Sequence, residues 1–168
     1  MATDVSRTPD QTQPLWRWMK RQGMGADEVL QYLDATRPPV DVKWVARSIG
    51  VLVFHDATSD ATGMLVQTAE GAYIHVSPRD SLVRQRFTIA HELGHLLLHP
   101  ESTHYRDATF AGTRLEIEAN RFAADLLMPM WMIDAAVEAH GADVKRLARM
   151  FQVSEAAMDL RLDKWVGL

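Results

Sequence analysis

Residues Arg86–Pro100 read RFTIAHELGHLLLHP, and the fold turns on why two histidines and a glutamate stand in so apolar a run. His91, Glu92 and His95 are surrounded by Ile89, Leu93, Leu96, Leu97 and Leu98. Ionisable groups enter an apolar helix only where something compensates their lost hydration. His91-Glu92-Leu93-Gly94-His95 is an H-E-x-x-H pattern. On a helix, side chains at i and i+4 share one face, with Cβ atoms roughly 5–6 Å apart. That separation lets two imidazoles meet one zinc ion at roughly 2.0–2.1 Å each. Glu92 projects about 100° further round the helix, beside the cation rather than onto it. From there it can take a proton from a metal-bound water and later deliver it to a leaving amine. A shuffled chain of this composition carries the pattern on the order of 1% of the time. The pair therefore reads as a metal site, not as two packed core histidines, with Glu92 as the catalytic base.

A catalytic zinc needs a third protein ligand and an open fourth position. His99 is one turn beyond His95, but it lies roughly 12 Å along the axis from His91, too far to share an ion with both. Leu98 and Glu101 also break the longer H-E-x-x-H-x-x-G-x-x-H spacing. His99 suits the helix end, where its charge complements the dipole. The other candidate run is EIEANRFAADLLMP, Glu116–Pro129. Thr113 and Glu116 read as a capping box, which gives Glu116 a local task. Glu118 sits on a helix whose Ala119, Phe122, Ala123 and Leu126 would face the core. Glu118 can either complete the metal site or remain a solvated helix residue, and the residues alone leave both open. Asp125, seven residues on, is a candidate brace for a ligand histidine. His104 and Tyr105, in the connecting loop, are candidates to bind a developing oxyanion or are plain loop surface.

The rest of the chain frames this site. Its 168 residues suit one domain with a real core. A net charge of −4 provides no global field for nucleic acid. The chain has no cysteine, so any metal must sit on nitrogen and oxygen. No apolar stretch resembles a signal peptide or reaches spanning length, which leads to an expectation of a cytoplasmic protein with no membrane partner. Residues 1–13 are polar and read as a disordered tail. Residues 14–37 read as a helical extension broken near Gly23 and Gly25, with Trp16 or Trp18 packed on the domain. VDVKWVARSIG reads as a helix closed by Gly50. Three β-rich segments follow, VLVFHD, GMLVQT and AYIHVS, predicting a small antiparallel sheet of about three strands whose last two form a hairpin. His55 and His75 read there as half-buried strand residues. Ser77-Pro78-Arg79-Asp80 reads as the start of the H-E-x-x-H helix, over about 78–99. Beyond Pro129, three further helices are expected.

RFTIAHELGHLLLH followed by EIEANRFAADLLMP closely resembles the ImmA/IrrE family of bacterial and phage metallopeptidases. The similarity extends softly over residues 38–165. It implies an α+β, compact zincin-like domain over residues 38–168. It implies zinc ligands His91, His95 and Glu118, with Glu92 as general base. It also implies a protein substrate, a helix-turn-helix transcriptional repressor whose cleavage would release mobile-element or stress genes. Mn2+ or Fe2+ could take the place of zinc on two histidines and a carboxylate. The rival reading is a regulator that binds protein or DNA without cutting, using the helix-turn-helix-like spacing of DVKRLARMFQVSEAAMDLRLDKW. Its presumptive recognition helix sets Glu155, Asp159 and Asp163 against Arg161 and Lys164, a balance that disfavours phosphate. Oligomeric state is not legible.

Overall fold

A computed structural model describes residues 8–57, 62–100 and 113–166. The chain opens with α1 (Leu15–Gln22), α2 (Ala26–Tyr32) and α3 (Val42–Ser48). Gly23, at φ 67°, closes α1 in the left-handed conformation that glycine adopts without steric cost. Trp16 and Met19 of α1 are fully buried in the same apolar cluster as the central helices, whereas Trp18 is half-buried against Tyr32. Asp41 caps α3 by accepting the Trp44 N–H at 3.0 Å.

The sheet comprises β1 (Val51–His55), β2 (Gly63–Gln67) and β3 (Ala72–Val76), in the order β1-β3-β2. The expected hairpin is present, with β2 antiparallel to β3. The expectation of a wholly antiparallel sheet is corrected: β1 pairs parallel with β3, Val51 opposite Ala72 and Val53 opposite Ile74. Side-chain alternation has the same period of two in either direction, so strand direction leaves no mark on the sequence. β2 occupies the far edge of the sheet, and β3 lies in the middle alongside β1. Val51, Ile74 and Val76 face the helices and are buried, while Leu52 and Phe54 face outward and stay exposed.

The central helix α4 covers Leu82–Leu98, four residues shorter at its start than expected. Ser81, not Ser77, is its cap, accepting the Arg84 N–H at 3.2 Å. The Ser77 hydroxyl instead accepts the Arg79 N–H at 3.3 Å and closes a turn. Helix α5 (Arg114–Leu127) starts at Thr113 as expected, and Pro129 caps α6 (Met130–His140). Helices α7 (Val144–Phe151) and α8 (Glu155–Val166) complete the three further helices.

Gly94 lets α4 and α5 come together. A Cβ there would lie 3.1 Å from Ala119 Cα and from Phe122 Cβ, and 3.2 Å from the Ala119 carbonyl. Gly63 does the same between β2 and α4, since a Cβ would collide with Thr88 Cγ2 and sit 3.4 Å from Glu92 Oε1. These two close approaches set α5 on one side of the H-E-x-x-H segment and β2 on another.

Candidate metal centre

Four-residue spacing on α4 turns His91 and His95 to one side, and their Nε2 atoms lie 3.0 Å apart. Facing them is Glu116 of α5, its Oε2 3.3 Å from His91 Nε2 and its Oε1 3.0 Å from His95 Nε2. These three are the group of histidine and acidic side chains, among the described residues, whose ligand atoms converge tightly enough for one cation, all within 4.8 Å. Glu118 is not in that group. Positions 116 and 118 lie about 200° apart around a helix, so only one can face α4's histidine pair. Glu118 instead contacts Arg114 at 2.6 Å and His99 Nε2 at 3.3 Å. The expectation that Glu116 serves the cap is corrected in part. Its backbone N–H donates to Thr113 Oγ1 at 3.4 Å, but its carboxylate goes to the histidines.

Second contacts fix how each histidine presents itself. Arg114 holds the Glu118 carboxyl below its usual range, with His99 adding to the effect, so Glu118 is an acceptor only. In the tautomer whose Nε2–H donates to Glu118, His99 Nδ1 is an acceptor. His95 Nδ1, 2.9 Å away, therefore donates to it, and the lone pair of His95 Nε2 points at Glu116. On His91 the same task falls to Asn120, whose Oδ1 accepts from Nδ1 at 2.9 Å. Burial pushes His91 down from the usual imidazole range, opposed by Glu116. Burial, with His91 and His99 beside it, pushes His95 down to about 3. Two imidazole nitrogens, both held toward the neutral form, thus converge with a carboxylate. Nitrogen and oxygen donors in that arrangement fit a divalent cation.

Glu92 lies about 100° round α4 from His91, against β2. Burial, reinforced by Glu116, raises its carboxyl to about 7, while a hydrogen bond from the Leu65 backbone N–H opposes the rise. That hydrogen bond follows from the sheet register. Thr68 N–H donates to Gly71 O at 2.8 Å and Ser77 N–H to Thr62 O at 3.3 Å. Even-numbered residues of β2 therefore bond to β3, and Gly63, Leu65 and Gln67 direct their backbone groups to the open edge.

Other candidates fall elsewhere. His99 ends α4 as its C-cap residue, as expected, and its ring is buried in the hydrogen-bond chain. Asp125 braces no histidine; it pairs with Arg161 of α8 at 2.8 Å. His75 is half-buried with Asp56 3.9 Å away, and His55 is exposed beside Lys43, not half-buried. His104 and Tyr105 lie outside the described residues. Asn120 was missed by sequence reasoning. Its signal was its spacing: Glu116 and Asn120 are four apart on α5, as His91 and His95 are on α4.

Residues 46–163 match the model of the IrrE N-terminal-like domain, a peptidase family. The chain belongs to that family. It is 26% identical over 120 residues to Metallopeptidase ImmA of Bacillus subtilis, covering 68% of this chain and 70% of that one. Over 64 residues it is 36% identical to an uncharacterized immunity region protein of Bacillus phage phi105, covering 36% of this chain and 40% of the relative. A solved structure, a Mycobacterium tuberculosis transcriptional regulator, superposes with a TM-score of 0.59 at 18% identity and shares the fold. The superposition covers 88% of this chain and 46% of the mycobacterial one, so the chain spans less than half of two of these three relatives. Family and site together make this a metallopeptidase-type domain with a candidate His-His-Glu metal site. No described helix is long and apolar enough to cross a membrane.

Proposed function

We propose that the chain is a zinc-dependent endopeptidase that makes a specific cut in a helix-turn-helix repressor. The observation that carries this reading is the convergence of His91, His95 and Glu116 beside a half-buried Glu92 at a strand edge that is unpaired among the described residues. His91, His95 and Glu116 would hold the ion, with Asn120, His99 and Glu118 orienting the two imidazoles. Bound there, zinc would acidify a water ligand and polarise a peptide carbonyl. Glu92, with a carboxyl raised to about 7, is poised to accept the water proton and return it to the leaving nitrogen. The outward backbone groups of Gly63 and Gln67 and the carbonyl of Leu65 would hold an extended substrate segment by strand addition.

The repressor is supported by the company the family keeps, a phage immunity region protein and a peptidase named ImmA. A DNA-bound substrate would place the reaction in the cytoplasm. Direct DNA binding through α7 and α8 is the weaker reading, because Arg161 is buried and spent on Asp125 rather than offered to phosphate.

The test pairs the protein with the helix-turn-helix repressor encoded beside its gene. Repressor mass is followed with zinc, with chelator, and with Glu92→Gln. A cut that requires both zinc and Glu92 is expected. An intact repressor that still forms a stable complex would replace the peptidase by a binding regulator.

A further inference from the structure

A groove of about 1230 Å³ runs away from the metal centre between the start of α4, the outer face of α5 and α8. It borders the site through two residues. Asn120, which orients His91, lies in its wall, and so does Phe87, whose ring centroid is 6.1 Å from that of His91. The strand edge on the other side of α4 supplies backbone hydrogen bonds and no preference among side chains. The groove is where side-chain preference can arise.

Its chemistry has two parts. Ile117 and Leu160 line it with 60% and 61% of their surface exposed, an apolar cost that a folded chain bears without return unless something covers it. Charge around them is one-sided: Arg84, Arg121, Arg161 and Lys164 line the groove against a single acid, Asp125, in a chain whose net charge is −4. Asp125 is engaged by Arg161 at 2.8 Å and approached by Arg121 at 3.8 Å. Arg84 and Lys164 form no ion pair among the described residues, and they stand on α4 and α8, the two sides of the groove.

We infer that this groove binds a segment of the protein substrate in which large apolar residues are flanked by Asp or Glu, and so selects which protein is cut. Apolar side chains would cover Ile117, Leu160 and Phe87, and the acidic flanks would meet Arg84 and Lys164. Nucleic acid would also answer the charge, but it would leave Ile117 and Leu160 uncovered beside a sugar-phosphate backbone. The inference rests on the peptidase reading for the word substrate, but not for the binding itself.

The full chain is therefore tested metal-free, in chelator, so that no peptide carboxylate can bind through zinc. Three fluorescein-labelled probes are compared by anisotropy: a short leucine–glutamate peptide, its leucine–lysine counterpart, and a short duplex DNA. The acidic peptide is expected to bind at least roughly tenfold tighter than the basic one, the scale of two exposed ion pairs, with the preference shrinking as salt is raised. Arg84→Glu with Lys164→Glu should reverse the preference. Leu160→Asp should weaken the acidic peptide while thermal melting shows the fold intact. Equal binding of the two peptides, a preference indifferent to the charge reversal, or DNA binding tighter than either peptide would overturn the inference. Self-association of the chain that buries Leu160 and blocks the peptide would overturn it as well. Cleavage of the repressor with zinc is measured separately. A charge preference without cleavage rejects the peptidase and leaves the groove standing; cleavage without preference does the reverse.

Discussion

At Glu92 burial and charge conflict directly. Its folded carboxyl sits at about 7, above the ordinary 4.5, so between those values the folded chain holds a proton that the unfolded chain has released. In metal-free protein that contribution is fully present below 4.5 and is lost as pH rises toward 7. Glu92→Gln, which keeps the hydrogen-bonding shape without the charge, should therefore stabilise the metal-free chain at pH 8 by on the order of 2 kcal/mol and leave it nearly unchanged at pH 4. Denaturant melts at the two pH values check this, and an equal effect at both would remove the buried charge as its cause. The same variant should retain zinc and lose cleavage. Glu116 and Glu118 separate just as clearly. Glu116→Ala should abolish tight zinc binding, while Glu118→Ala, acting through His99 and the His95 tautomer, should weaken it by about 10- to 100-fold. Competition against a chelating dye measures both. The histidine pair was legible because i, i+4 spacing is a local rule. The proposed third ligand was not, because Glu116 fits a capping pattern and a metal pattern at once, and only the placement of α5 against α4 brings its carboxylate to the histidines.

At the scale of elements, close approach decides the site's geometry. Gly94→Ala touches no ligand, yet its methyl group would meet backbone of Ala119 and push α5 outward, taking Glu116 with it. Zinc affinity should fall at least tenfold with the three ligands intact, a loss that the same dye competition would read. Helix α8 is held to α5 by Arg161, which pairs with Asp125 and donates from Nε to the Met128 carbonyl at 2.8 Å. Arg161→Met should cost about 2 kcal/mol, less than the roughly 3–5 kcal/mol of a fully enclosed pair, because Asp125 keeps 31% exposure and can rehydrate. Chemical denaturation checks the value. Helix positions were readable from caps and prolines, with one slip at Ser77, where two serines four residues apart offer the same signal. The inward turn of Arg161 was not readable, since an arginine in an amphipathic helix looks the same whether its partner is solvent or a neighbouring helix.

For the whole molecule, the convergence of three candidate ligands means that a bound cation would contribute to holding the fold. Zinc at about 100 times its dissociation constant should add roughly 2.7 kcal/mol, which for a chain of this size raises the melting temperature by about 5–10 °C. His95→Ala should abolish most of that rise, and a scan with and without chelator decides it. The element order followed from periodicity and turn chemistry, and the α+β class is the one the family resemblance implied. The path of the sheet did not, because pairing across a crossover depends on contacts far apart in sequence. That path has one more consequence. With β3 in the middle, β2 is an edge strand among the described residues, and the backbone groups of Gly63 and Gln67 and the carbonyl of Leu65 face outward beside Glu92, which takes the Leu65 N–H. A helix, whose backbone groups are already committed to one another, has nothing to offer such an edge. A repressor segment that is helical at rest must unwind before it can lie there, so the pace of cutting would follow how often the target opens, and stapling the target closed would protect it as surely as removing the bond.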